Sequence, residues 1–268
     1  MTEFETIRLA IDAAGVARLT LARADVHNVL NPTMFAEIGQ ALDRIEADPA
    51  VRVVVLSGDG ENFCAGGDFR WQQSQGDQDR ASRIRSGVPL AKILARLDTF
   101  GRPIIGRING SAYGGGVGLI AICDVAVAVD SARISLSEVR LGLVPATISP
   151  YVAAKLGPSY ARRVFLNGKI MSAAEAQRYG LVHEVVSAAE LDNAVNAEID
   201  LALACAPGAV QMTKKLVQFV LAHDTADNLI YTVDRLADFW ENEEAREGMT
   251  SFFEKRAPAW RRKHEPAA

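Results

Sequence analysis

At 268 residues and 28.9 kDa, the chain is long enough for one large domain with a substantial apolar core, or for a main domain with a small appendage. Hydrophobic residues make up 49% and charged residues 23%, which excludes a disordered or collagen-like chain. Lys+Arg 29 against Asp+Glu 33 leaves a net charge of −4 and a pI near 5.7, without the positive excess that nucleic acid or an anionic lipid surface demands.

Cys64, Cys123 and Cys205 are odd in number and lack CxxC or Cys/His ligand spacing, so free thiols in a reducing compartment are expected rather than a disulfide framework or a metal site. The opening Met1-Thr2-Glu3-Phe4-Glu5 is acidic where a signal peptide is basic. The most apolar stretch, Gly114 to Val129, is broken by Asp124 and is too short to span a bilayer. A soluble, cytoplasmic protein is predicted.

Ile7, Leu9 and Ile11 alternate with polar neighbours, and Gly15 turns the chain into Val16 to Leu21, a predicted β-hairpin. Asn31 as N-cap and Pro32 at the first helical position open a helix with the stripe Met34, Ile38, Leu42 and Ile45, ending at Asp48-Pro49. Val51 to Leu56 is a β-branched run of the kind buried on both faces of a sheet. Asp68 to Gly87 is polar and without clear period, which predicts a mobile cover, and Val88 to Leu97 returns to helix. Pro103-Ile104-Ile105 begins a strand, Asn109-Gly110 turns it, Gly114 starts a buried helix, and Asp124 to Val129 is another inner strand, so βαβ-type units repeat. Beyond Ser149-Pro150, helices are predicted over Pro150 to Leu156, Tyr160 to Leu166 and Ala173 to Tyr179, then after Leu191, Pro207 and Thr225, with one strand at Leu181 to Val186. The domain reading is an α/β core over 1–195 and a C-terminal helical region over 196–268.

Two glycine-rich turns carry chemical interest. Phe63-Cys64-Ala65-Gly66-Gly67-Asp68 follows one strand, and Gly110-Ser111-Ala112-Tyr113-Gly114-Gly115-Gly116 follows another and enters a helix. Without β-carbons in the way, two backbone N–H groups can approach one ligand oxygen, and the second turn adds the positive end of a helix. Read singly, each is also consistent with a plain tight turn. Neither ends in the Gly-Lys-Ser/Thr of a phosphate loop. Glu138, in Ser135-Leu136-Ser137-Glu138-Val139-Arg140-Leu141, has apolar surroundings that raise a carboxyl pKa toward the range useful for proton transfer. The alternative is a loop glutamate paired with Arg140. His27, His183, His223 and His264 are scattered and lack nucleophile partners, which disfavours a Ser/His or Cys/His hydrolase.

Taken in order, Arg23 to Asn28, Phe63 to Asp68, Pro103 through Gly110, Gly114-Gly115-Gly116, Cys123-Asp124, Glu138, Gly142, Pro145, and Glu247-Gly248-Met249 to Arg256 resemble the crotonase (enoyl-CoA hydratase/isomerase) family over nearly the whole length. The resemblance implies a ClpP-like α/β fold of repeated ββα units with a C-terminal helical trimerisation region, assembled as a homotrimer or as a hexamer of two trimers. It implies an acyl-CoA thioester as substrate, with coenzyme A part of that substrate and no separate cofactor. It implies that the amides of Gly67 and Gly115 hold its carbonyl oxygen and that Glu138 serves as acid/base. It further implies that Ala24, Val26, Ala65 and Gly66 line the coenzyme A groove and that Phe252 and Lys255 reach a neighbouring subunit's coenzyme A; Asp68 and Gly114, beside the oxyanion turns, are read with them as substrate-binding.

Family hydratases commonly carry a further glutamate where this chain has Gly118. Moving a double bond needs only one base, whereas straight-chain hydration uses two carboxylates in such enzymes. Gly118 is read either as tight helix packing or as room for a bulky acyl chain, with Arg140 or Arg70 the candidate cation for a terminal carboxylate. The run Gly116 to Ala121 together with Ser137 to Tyr151 looks like the bacterial methylglutaconyl-CoA hydratase subgroup of leucine breakdown. The expectation is hydration of a branched or carboxylated 2-enoyl-CoA. Alternatives are a Δ3,Δ2-enoyl-CoA isomerase and a non-catalytic acyl-CoA binder. RNA binding, known for one crotonase relative, is disfavoured because Thr33 to Asp48 carries Glu37, Asp43, Glu46 and Asp48 against Arg44 alone.

Overall fold

The structure is a computed structural model that describes residues 4–264. The hairpin of β1 (Ile7–Ile11) and β2 (Val16–Leu21) forms as predicted, antiparallel with Ile7 opposite Leu21. It edges a six-stranded sheet completed by β3 (Val53–Gly58), β5 (Ile104–Ile108), β7 (Val125–Val129) and β10 (Glu184–Val186), in the order β1-β2-β3-β5-β7-β10 and parallel from β2 onward. The β-branched runs are explained by burial on both faces. Val54, Leu56, Ile104 and Ile108 point into one apolar core, and Val53, Val55, Ile105 and Val127 into the other. The first core is closed by α1 (Pro32–Ala47), whose Met34, Ile38, Leu42 and Ile45 stripe is fully buried; its Met34 N–H donates to the Asn31 side chain at 2.9 Å. Each such apolar side chain contributes about 1.5–3 kcal/mol through burial.

A second sheet positions the site. Its strands are short, β4 (Asn62–Cys64), β6 (Ser111–Tyr113), β8 (Arg133–Ser135) and β9 (Met171–Ser172), in that order and parallel except for β8 with β9. Each long strand β3, β5 and β7 is followed at once by β4, β6 and β8, and the chain then enters α2 (Phe69–Ser74), α4 (Gly115–Ile122) and a 3₁₀ turn (Glu138–Leu141). This is the repeated ββα plan. The carboxyl ends of three adjacent parallel strands therefore converge, and with them the turns at 65–68, 114–115 and 137–138.

Several expectations are corrected. Residues 68–87 do not form a loose cover: Asp68 caps α2, and Asp79 caps α3 (Arg80–Asp98), its carboxylate accepting from the Ser82 N–H at 2.7 Å. The helix signal lies in these two caps rather than in hydrophobic period. The two helices expected on either side of Gly157 form α5 (Ser149–Phe165), broken where Gly157 takes φ 65°. The expected boundary at residue 195 falls inside α7 (Leu191–Ala204), whose Leu191, Val195, Ile199 and Leu203 bury against the second face of the main sheet. By packing, the core therefore runs through α7. Beyond it come α8 (Pro207–Ala222), α9 (Thr225–Glu241) and α10 (Glu243–Phe253).

Candidate active site

A cavity of about 270 Å³ opens where the three turns meet. Its wall includes Ala65, Gly66, Gly67, Gly114, Gly115 and Glu138, so the two glycine turns and the candidate acid share one space. Leu30 explains how the first turn is aimed. Its N–H donates to Gly66 O at 2.7 Å, and the Asp68 N–H donates back to Leu30 O at 2.9 Å. In such a parallel bridge the intervening Gly67 turns its own N–H to the opposite side. The Gly115 N–H, first in α4, has no carbonyl one turn earlier to bond and sits at the positive end of the helix.

Two glycines make the approach possible. A β-carbon on Gly66 would lie 2.8 Å from Tyr113 O and 3.6 Å from Gly115 N, so the turns touch backbone to backbone only because residue 66 has none. Gly114 takes φ 47°, and a β-carbon there would stand 2.8 Å from Glu138 Oε1. The Glu138 carboxyl thus packs directly over the second turn. Its Oε2 is buried with no hydrogen-bond partner among the described residues, and burial holds the carboxyl above its ordinary range. Arg140 is not its partner: the Arg140 Nε donates to Asn167 O at 3.4 Å.

An uncompensated carboxyl beside two free amide donors suits proton transfer next to a developing oxyanion. The rest of the wall is mainly apolar, with Phe35, Phe69, Trp71, Leu90, Leu143 and Val144. No Lys, Arg or His is among the wall residues, and Glu138 is the wall's one carboxylate. Cys64 lies just behind the first turn, where burial pushes its thiol up to about 12, the opposite of nucleophile activation.

The remaining candidates lie elsewhere. Ala24 and Val26 form a 3₁₀ turn outside this wall. Asp68 faces Arg23 at 3.3 Å and accepts from the N–H groups of Arg70 and Trp71, so it orients α2. Phe252 and Lys255, at the end of α10, are exposed and off the wall, as is Arg70. Gly118 opens no space for substrate. A β-carbon there would collide with Cγ2 of Ile148, itself 2% exposed, and Ile148 rather than Gly118 reaches the cavity. Tight packing is therefore the reading of Gly118 that the structure supports.

Leu30, Trp71, Gln72 and Ile148 also line the cavity, and none of them stands out as a site residue in the sequence. The Asp68 cap was the available signal for α2 and hence for Trp71 and Gln72; nothing local marks Leu30 or Ile148, which reach the site through tertiary pairing.

The family model described as enoyl-CoA hydratase/isomerase matches residues 12–263. A curated relative, the (E)-benzylidenesuccinyl-CoA hydratase of Thauera aromatica, is 32% identical over 92% of this chain and 95% of its own. The mitochondrial Delta(3,5)-Delta(2,4)-dienoyl-CoA isomerase of Dictyostelium discoideum is 29% identical over 97% of this chain and 93% of its own. The crystal structure of an enoyl-CoA hydratase from Shewanella pealeana superposes with a TM-score of 0.92 at 33% identity, covering 96% of this chain and 97% of that one. These relatives span hydration and isomerisation, so they identify no subgroup of the methylglutaconyl-CoA type. Sequence, fold and relatives agree at the level of the family: the chain belongs to the enoyl-CoA hydratase/isomerase family.

Proposed function

We propose that the protein adds water across the double bond of a 2-enoyl-CoA thioester with an apolar acyl group, using Glu138 as its one acid/base. The observation that carries this reading is the buried, unpartnered Glu138 carboxyl set against the Gly67 and Gly115 turns. The two amides hold the thioester oxygen and draw electron density from the double bond. Ionised Glu138 takes a proton from water as the water oxygen bonds to C3, and the electron pair moves to the thioester oxygen as an enolate. Glu138 then returns the proton to C2. One carboxylate closes the cycle, because it gives back the proton it took. Coenzyme A enters as part of the substrate and no separate cofactor takes part.

The acyl group is read as uncharged because the wall carries no cation. A terminal carboxylate of the methylglutaconyl type meets no countercharge among the described residues of that wall. A second reading, Δ3,Δ2-isomerisation, is favoured by the single carboxylate: Glu138 would take a proton from C2 of a 3-enoyl-CoA and deliver it to C4, with no water needed. Turnover of a panel of 2-enoyl- and 3-enoyl-CoA thioesters in ¹⁸O-labelled water tests both. Label at C3 is expected. Unlabelled 2-enoyl products from 3-enoyl substrates, with every 2-enoyl substrate left untouched, overturn hydration in favour of isomerisation.

A further inference from the structure

The side chain that overlies Gly67 is one that neither the amide pair nor the acid accounts for. A β-carbon built on Gly67 would overlap Nε2 of Gln72, and the three atoms nearest that position are Nε2, Cδ and Cγ of the same residue. The Gln72 amide thus rests on the Cα of Gly67. Its placement is fixed from the backbone. Asp68 caps α2, with Oδ1 accepting from the Arg70 N–H at 3.0 Å and the Trp71 N–H at 3.4 Å, while Oδ2 faces Arg23. The Gln72 N–H closes the turn on Asp68 O at 2.8 Å, and the neighbouring Trp71 ring packs edge-on against Phe35 at 6.0 Å.

Although its backbone is tied down, the Gln72 side chain makes no hydrogen bond to any described residue, and it lies on the cavity wall together with Glu138. Half-exposed on that wall and committed to no described residue, the amide NH₂ can donate to an oxygen bound beside the Gly67 turn. Tyr113, Ser137 and Thr147 also line the cavity, but Gln72 is the one whose polar group overlies Gly67.

We infer that the side-chain amide of Gln72 is a third hydrogen-bond donor to the thioester oxygen, acting beside the Gly67 and Gly115 amides. The inference rests on the reading of this cavity as an acyl-CoA site. An enolate oxygen has lone-pair capacity for three donors, and its bond to a neutral amide strengthens as negative charge develops there. Gln72 is neutral and takes no proton, so it does not compete with Glu138. Its bond therefore belongs mainly to the transition state.

The test uses Gln72→Met, which keeps the length and packing on Gly67 but has no donor, and Gln72→Glu, which puts a carboxyl at the same position. A saturated acyl-CoA labelled with ¹³C at the thioester carbonyl cannot react, and infrared difference spectra report how strongly that carbonyl is polarised when bound. In the wild type the band should move to lower frequency. Gln72→Met should recover part of that displacement, with kcat on the best enoyl-CoA lowered about ten- to a hundredfold and KM changed by less than about threefold. Gln72→Glu should lose more than Gln72→Met at neutral pH, and the gap should narrow as the introduced carboxyl is protonated. An unchanged carbonyl band in Gln72→Met overturns the assignment, including the case in which turnover slows, since the amide would then act on water or on packing. If the wild type neither displaces the band nor turns over any enoyl-CoA, the acyl-CoA reading itself fails and this inference with it.

Discussion

Glu138 is held in a state that folding alone would not favour. Its carboxyl is buried beside Gly114 with Oε2 unpartnered, and burial raises its pKa. Replacement by Gln keeps shape and removes the titrating proton, so turnover of the best enoyl-CoA should fall about a hundredfold or more while acyl-CoA affinity stays within a few-fold. Activity within a few-fold of wild type would sink the assignment. The same burial predicts a stability change of opposite sign. Because the folded pKa lies above the unfolded one, the native state binds the proton more tightly. Its contribution is complete below the ordinary carboxyl range and is lost as pH rises through the raised value. Glu138→Gln should therefore melt with wild type in acid and above it at neutral pH; a melting difference that does not vary with pH contradicts this account. The pH profile of kcat/KM in the wild type should rise through the same raised pKa, the limb on which the base becomes ionised.

At the scale of elements, the site depends on pairs that tie one segment to another. Asn28 is fully buried at φ 57°, and its Nδ2 lies 2.9 Å from both Asp59 O and Asn62 O and 3.2 Å from Phe63 O. Its Oδ1 accepts from the Arg23 N–H at 2.9 Å, so one side chain fastens the 23–28 segment to the strand that feeds the first glycine-rich turn. Asn28→Ala strands several buried carbonyls and should destabilise the fold by about 3 kcal/mol, seen as a lower urea midpoint at unchanged slope. A midpoint within error of wild type argues that the segment is held otherwise. Gly118 and Ile148 form a second pair, joining α4 to the start of α5. Gly118→Ala gains about 1 kcal/mol of helix propensity but overpacks Ile148 by about 1–3 kcal/mol. Combined with Ile148→Ala, the alanine at 118 should be tolerated, giving a coupling of about 1 kcal/mol or more in a double-mutant cycle; additive effects would show that the two do not share the space. These pairs also explain what was legible in the sequence. The hairpin, α1, and the three β-branched strands announce themselves through period and caps, and Glu138 through its apolar setting. Gly118 beside Ile148, or Gly67 beneath Gln72, is a contact between distant or unpatterned segments, and a glycine in sequence does not say what stands where its side chain is missing. The polarity of 68–87 misled for a related reason: α2 and α3 bury little, so their apolar period is faint.

For the whole molecule, the wall of the three-strand site is drawn from residues 30–148, yet the chain carries α8 to α10 beyond it. On α9 the side chains of Leu229, Val233, Leu236 and Trp240 fall on one face and are 59–65% exposed, with Ile230 beside them at 71%; Phe252 and Phe253 on α10 are 75% and 71% exposed. That much contiguous apolar surface is unusual for a monomer and is the pattern of a covered interface. We propose that it is covered in a homotrimer, alone or paired as a hexamer. Val233→Asp combined with Leu236→Asp places two charges on that face, in helices that bury none of their side chains in the core except Ser251. The sheets and the cavity should survive. Sedimentation of the wild type should give a species of three or six chains, and the double variant a folded monomer near 28.9 kDa. If Phe252 and Lys255 reach a neighbour's coenzyme A, that monomer should bind acyl-CoA more weakly while its remaining turnover still depends on Glu138. A wild type that sediments as a monomer at micromolar concentration overturns the assembly. Equal acyl-CoA affinity in monomer and oligomer would instead confine the site to a single chain, because a contact supplied by a neighbour cannot outlast the loss of that neighbour.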